Sequence, residues 1–390
     1  MQMSLRRCAL LTLEPRECLD FDLADLVNGG AGLGVTPEWV AIAPHTTKEV
    51  VVTAAEAAAL GTISPTRWSE RAALSSIHGD DVVASLIEKD LVVVADSEAD
   101  RRDRLARDTG WRCASAAMHY ASRWRGVDTE AVQRQFAELH GGELLERLGP
   151  APDAVRERGR ADARIALPRA EPTPLDALLD ERVTCRNFDP REPLPYAAFA
   201  AVLYRAFGAR ALVDHAPGVQ LLKKGVPSAG GLHPTEAYLL VQRVAGVEPG
   251  LYHYHAVAHA LEPIRALPAD AARSLASTFV GAQPYLLDAP VFVVPVARFR
   301  RNFWKYRNHT KAYRALVLDV GHLSQTLYLA ATELGLAAFI TAAINEVDIE
   351  AAFELDPLEE GPLAVMGFGA RGRVREAVEF DPLHAVWKAG

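Results

Sequence analysis

The stretch Gly225-Val226-Pro227-Ser228-Ala229-Gly230-Gly231-Leu232-His233-Pro234 decides how the chain is read. Small residues packed this densely let a backbone approach a flat ligand closely, with N–H groups free to point outward for hydrogen bonds. A glycine pair alone marks only a turn. Here it is followed by a strand pattern at 236–244 and preceded by Arg182-Val183-Thr184-Cys185-Arg186-Asn187-Phe188. Two arginines flanking a hydroxyl can converge on one oxyanion where the chain curls, and guanidinium suits bidentate phosphate contacts. Downstream come Phe303-Trp304-Lys305-Tyr306, Tyr313-Arg314 and Leu318-Asp319-Val320-Gly321-His322-Leu323-Ser324-Gln325. Leu323, Leu327, Ala330, Ala331 and Leu334 recur there at helical spacing, with Gly335 as a C-cap. Met366-Gly367-Phe368-Gly369-Ala370-Arg371-Gly372-Arg373 reads as a strand end followed by basic residues.

Outward from these motifs, the composition is that of an ordinary globular protein: 390 residues, 49% apolar and 24% charged. At ~150 residues per domain this is room for two to three domains. Lys and Arg total 42 against 50 Asp and Glu, a net charge of −8, so nothing draws the whole chain to nucleic acid or an anionic membrane. A bound phosphate must be met by a local group of cations. Cys8, Cys18, Cys113 and Cys185 are scattered, which supports neither a disulfide framework nor a zinc knuckle. The N-terminal apolar run at 8–13 ends in Glu14, Pro15, Arg16 and Glu17, too short for a secretory segment, and no apolar stretch approaches a ~20-residue span. A cytoplasmic protein is expected, with neither a membrane nor nucleic acid as partner.

The chain divides into 1–100, 101–174 and 175–390. Residues 50–94 read as helix, helix, helix, strand, a rhythm similar to a winged helix. The stretch 69–77 carries Arg71 as its only cation, where a DNA reader needs several, so a docking module is expected. Segments 96–107 and 129–147 are charge-rich and helical in pattern. The Pro-, Arg- and Ala-rich stretch 150–181 reads as a linker. Beyond it, helical patterns alternate with short strands, the clearest at 236–244 and 290–296, which implies an α/β or α+β architecture.

In this order and spacing, the motifs resemble the nitroreductase superfamily, and within it the SagB/ThcOx branch of flavin enzymes that modify ribosomally made peptides. P-S-A-G-G-L-H-P-T-E-A-Y at 227–238, G-L-Y-H-Y-H at 250–255, and W-K-Y with Y-R and L-D-V-G-H-L-S-Q carry the resemblance from about residue 176 to the C-terminus. A-A-M-H-Y-A-S-R-W-R-G at 116–126 resembles the region that precedes the catalytic domain in that branch. The resemblance implies an FMN-binding fold with a central, mostly antiparallel sheet flanked by helices, and a homodimer with FMN at the subunit interface. It implies dehydrogenation of thiazoline or oxazoline rings to azoles, on a modified precursor peptide supplied with a partner cyclase. Two alternatives stand beside it: an NAD(P)H-dependent reductase of dehydroamino acids or other activated alkenes, and an inactive scaffold that presents peptide to a partner enzyme.

By the same resemblance, Arg182, Thr184 and Arg186 hold the FMN phosphate and ribityl chain, with Arg371 or Arg373 adding a cation. Pro227, Ser228, Ala229, Gly230 and Gly231 line the isoalloxazine, and backbone N–H groups at Thr341 and Ala342 face its N5 edge. Ile340-Thr341-Ala342-Ala343 stands where relatives carry glycine, and Gln325-Thr326 where they carry Gln-Asn. Lys305 and Tyr306 match the catalytic Lys-Tyr pair. Azoline oxidation removes one ring hydrogen as a proton and one as hydride, and a base whose pKa is lowered by burial and a nearby cation takes the proton near neutrality. Cys185 reads as packing rather than a nucleophile. His253, His255 and His259 have no carboxylate at a matching spacing, so no metal is expected; His233 and His322 read as structural.

Overall fold

The structure is a computed structural model describing residues 3–21, 23–129, 131, 146, 149–307 and 309–388. The helix expected at 129–147 lies almost wholly outside the described residues.

The first part of the chain builds two small antiparallel sheets and three main helices. Strands β1 (Ser4–Arg7), β5 (Ser69–Glu70) and β6 (Val92–Val94) form one sheet in the order β5-β1-β6. Strands β2 (Thr12–Phe21), β3 (Leu33–Ile42) and β4 (Glu49–Val52) form the other, with the short α1 (Leu23–Val27) in the β2–β3 connection. Helices α2 (Ala54–Thr62), α3 (Arg71–His78) and α4 (Asp80–Glu88) follow the expected rhythm into β6. Helix α2 starts where Thr53 and Glu56 satisfy each other's backbone N–H groups, at 3.2 and 2.7 Å. The β2–β3 ribbon was not legible in the sequence. Glu14, Pro15, Arg16 and Glu17, which end the apolar run, lie within β2, where Pro15 faces Trp39 and Arg16 pairs with Glu49 at 2.7 Å.

Helices α5 (Glu98–Thr109) and α6 (Cys113–Ala121) join this part to the rest. Buried Arg6 reaches from β1 to Asp100 and Asp103 of α5 at 2.6 and 2.7 Å, so its charge is doubly compensated. On the far side, Trp111, Ala116 and Tyr120 share one buried cluster with Val40 and Ile42 of β3 and with Phe299, Phe303 and Tyr313. Residues 151–173 are exposed and hold only a single turn of 3-10 helix at Ala161–Ala163 before α7 (Pro174–Glu181).

The remainder is one antiparallel sheet between two helical layers. Its strands are β9 (Thr235–Val241), β10 (Gly250–His255), β11 (Ala260–Ala266), β12 (Val291–Arg298), β13 (Ala337–Thr341), β14 (Glu360–Pro362) and β15 (Val365–Gly369), ordered β11-β10-β9-β12-β15-β13 with β14 on β12. Residues 291–297 of β12 are buried on both faces, which explains the unbroken apolar reading of that strand. Helices α8 (Tyr196–Phe207) and α11 (Ala312–Glu333) cover one face. Helices α9 (Ala269–Phe279) and α12 (Glu346–Phe353) cover the other. A separate hairpin, β7 (Ala209–Ala216) with β8 (Val219–Lys224), leads into the glycine-rich loop, and α10 (Phe299–Tyr306) follows β12. No helix among the described residues is long and apolar enough to cross a membrane.

Candidate active site

Helix α11 organises the site. Near its start, Asp319, only 4% exposed, accepts from the Ser228 hydroxyl at 2.5 Å and the Ala229 N–H at 3.1 Å. Ser228 Oγ in turn accepts from the His233 N–H at 3.0 Å, so a buried carboxylate closes the glycine-rich loop on itself. Gly230 and Gly231 take φ of +60° and +68°, the left-handed region that glycine occupies without penalty. A Cβ on Gly230 would stand 2.5 Å from both Lys305 Nζ and the Tyr306 hydroxyl, and Lys305 Nζ donates to the Gly230 carbonyl at 3.3 Å. The end of α10 and the loop, separated by some seventy residues in sequence, therefore meet. Lys305 is exposed. The burial expected of the base is not supplied by its surroundings in this chain, because α10 ends at the surface with Trp304 also exposed.

Farther along α11, Tyr328 gathers the arginine motif. Its hydroxyl shares a 3.0 Å hydrogen bond with Thr184 Oγ1 and accepts from the Ile340 N–H at 3.1 Å, while its ring lies 5.5 Å beneath the Arg182 guanidinium. Thr184 bridges to Ala338, and the Cys185 N–H donates to Ala338 O at 2.8 Å, so the motif runs beside β13 toward Thr341 and Ala342. Thr341 Oγ1 accepts from the Ala343 N–H at 3.2 Å and from Gln283 Nε2 at 3.3 Å. Arg182 is half-buried, with no hydrogen bond or carboxylate on its guanidinium among the described residues. Cys185 is fully buried and burial pushes its thiol up to about 12, as expected of a packing residue.

Of the other cations, Arg371 also reaches the motif, donating to the Val183 carbonyl at 3.3 Å. Arg186 donates to the Val378 carbonyl at 3.0 Å and stacks over Tyr285, and Arg371 is paired with Glu379. The Glu379 side chain is buried and also accepts from the Arg186 N–H at 2.6 Å, Asn187 Nδ2 at 2.8 Å and Trp387 Nε1 at 2.7 Å. The cation expected from Arg371 is thus neutralised within the chain, and Arg373 is exposed. A buried carboxylate needs this many donors, and the nearest are the residues read as phosphate ligands.

Nothing marked Glu379 or Tyr328 in the sequence, since each acts across a fold contact. Asp319 was visible as a lone acid in an apolar helical pattern. The histidine stretch is also corrected: His253 meets Glu262 at 2.6 Å and Glu236 at 3.1 Å, carboxylates supplied by strand pairing rather than sequence spacing. His255 accepts from the Ala258 N–H, and His259 pairs with the Tyr254 hydroxyl. Among the described residues no His, Cys, Asp and Glu side chains group to hold a metal.

Comparison with known proteins agrees with this architecture. Residues 179–370 match the Nitroreductase family model. Protein MJ1384 of Methanocaldococcus jannaschii, which carries a nitroreductase name, is 30% identical over 207 residues, 53% of this chain and 96% of its own length. The trifolitoxin-processing protein TfxB of Rhizobium leguminosarum bv. trifolii is 31% identical over 144 residues, 37% of this chain and 38% of that protein. The microcin B17-processing protein McbC of Escherichia coli is 27% identical over 188 residues, 47% of this chain and 65% of that protein. The chain therefore spans less than two thirds of either peptide-processing relative. The family model, the near-complete match to MJ1384 and the antiparallel sheet between two helical layers agree: the chain belongs to the nitroreductase family of flavoprotein oxidoreductases.

Proposed function

We propose that the protein is an FMN-dependent dehydrogenase that oxidises azoline rings in a ribosomally made peptide. The observation that carries this reading is the meeting of Lys305 and Tyr306 with Gly230. It sets a proton acceptor beside a glycine surface that a flat ring can approach. The residues present fit FMN. Pro227, Ser228, Ala229, Gly230 and Gly231 would bed the isoalloxazine, with Thr341 and Ala342 at its edge, and Arg182 with Thr184 would take the phosphate. Asp319 and Tyr328, which hold these two ends, are nine residues apart on α11, ~14 Å at 1.5 Å per residue. Arg371 would join the phosphate only if Glu379 released it, and Arg186 only if its guanidinium left the Val378 carbonyl; Arg373 is exposed.

Bound there, FMN supplies the acceptor for a hydride. Lys305, in its neutral form, takes the second ring hydrogen as a proton, so the azoline loses two electrons and two hydrogens in all. The Tyr306 hydroxyl stands against the same Gly230 position and would border the bound ring beside the lysine amine. The two peptide-processing relatives support a peptide substrate, here a modified precursor that would be supplied with a partner cyclase. The N-terminal winged-helix-like part would dock them. Leu19 and Phe21 pair with Val35 and Leu33 at the tip of the β2–β3 ribbon, and all four are exposed, an apolar patch that suits such a role. A homodimer would supply the cover that Lys305 lacks.

The purified protein should be yellow, and the colour should bleach on anaerobic mixing with a cyclised peptide. Lys305→Ala should keep the colour and lose at least about 100-fold in turnover. Rapid bleaching by NADPH alone would instead favour a reductase, and a protein that takes up no FMN would leave a scaffold.

A further inference from the structure

Lys224, the last residue of β8, is 2% exposed and among the largest fully buried side chains of the molecule. Its ammonium makes no hydrogen bond or ion pair among the described residues. It lines a cleft of about 410 Å³ between the β7–β8 hairpin and strands β9 and β10, open to solvent on one side. Phe207, Leu222, Ala237 and Tyr254 give the cleft an apolar wall. A buried cation without a hydrogen-bonded counter-ion is unfavourable, and the one carboxylate among the residues lining the cleft is already engaged. Glu236, the carboxylate nearest in charge to Lys224, is held by Arg298 at 2.7 Å and His253 at 3.1 Å. Arg301 is turned onto the carbonyls of Leu232 and Gln220 at 3.1 and 2.6 Å.

We propose that Lys224 anchors a second binding site, which takes a carboxylate carried on an apolar group. The ammonium supplies three donors to a carboxylate, and the apolar wall suits an alkyl or aromatic body. Burial lowers the Lys224 amine to about 8, so it is still largely protonated at neutrality. His233, on the same cleft, is lowered to about 4 by burial first and the neighbouring lysines second, so it stays neutral. Lys224 also lines a small void with Pro227 and Ser228 of the glycine-rich loop, but the proposal does not depend on the flavin reading.

Calorimetric titration of the full chain with sodium octanoate, using octanamide as the neutral counterpart, tests the proposal. Octanoate should bind at least about tenfold more tightly than octanamide. Lys224→Met keeps the buried stem and removes the ammonium; it should abolish that preference and melt no lower than the parent. Equal affinity for the two probes in the parent protein overturns the proposal without recourse to any variant, as does an undiminished octanoate preference in Lys224→Met. Flavin uptake by Lys224→Met should match the parent. Lost uptake would assign the amine to the cofactor and also overturn the proposal.

Discussion

At the scale of single residues, Gly230 shows how one missing side chain makes room for chemistry. Alanine there would hold a strained left-handed backbone, at ~1 kcal/mol, and its methyl would displace the tips of Lys305 and Tyr306. Both tips are flexible, so Gly230→Ala should fold with a melting temperature within a few degrees of the parent yet lose about tenfold or more in turnover. Steady-state kinetics beside a thermal melt would read both. His253 carries a pH signature. Its hydrogen bond to Glu236 first, then that to Glu262, raises its pKa above 6.5, against burial. A raised histidine gives its full stabilisation below the unfolded value and loses it as pH rises through the folded value. His253→Asn should therefore cost about 1 kcal/mol below pH 6.5 and progressively less as the pH rises above it. Melting curves of parent and variant that stay parallel across that window would refute the assignment.

At the scale of elements, α11 is the piece on which the site depends. Its helical period was legible from Leu323, Leu327, Ala330 and Ala331, which face the buried cluster beneath the sheet. What the period does not disclose is that the same helix holds two loops by polar side chains. Asp319→Ala would strand the Ser228 hydroxyl and the Ala229 N–H, and should cost about 2–3 kcal/mol with weakened flavin uptake. Tyr328→Phe would release Thr184 and the Ile340 N–H for about 1–2 kcal/mol. Denaturant titration alongside flavin absorbance separates these effects: unchanged uptake in both variants would mean that α11 supports the fold but not the site. Strands β12 and β9 were readable because burial on both faces leaves an apolar run. The β2 strand was not, because an exposed ribbon tolerates proline and charge.

At the scale of the whole molecule, the N-terminal part and the flavoprotein fold share a core. Trp111 is 3% exposed, packs 4.5 Å from the Phe299 ring and donates its indole N–H to Leu358 O at 2.9 Å. Phe299 and Phe303 belong to α10, whose last residues are Lys305 and Tyr306, so the seam lies one helix from the proposed chemistry. Trp111→Ala should cost about 3–5 kcal/mol and reduce turnover through misplacement of α10. A variant that loses stability but keeps full kcat would show that the seam is only structural. The division at residue 100 suggested by composition is thus bridged by α5 and α6, which pack on both sides.

The motif order along 182–373 and the helical and strand periods are local properties, because each arises from neighbours along the chain. They carried the family and the α+β class. The tertiary structure alone decided which charges are spent and which are free. Arg371 reads the same as Arg182 in one dimension, yet a buried Glu379 neutralises the first, while the second meets no carboxylate among the described residues. Lys224 reads like any strand-end lysine until the sheet closes over it. Electrostatic pairing depends on distance through space and on desolvation, and neither is written in sequence separation.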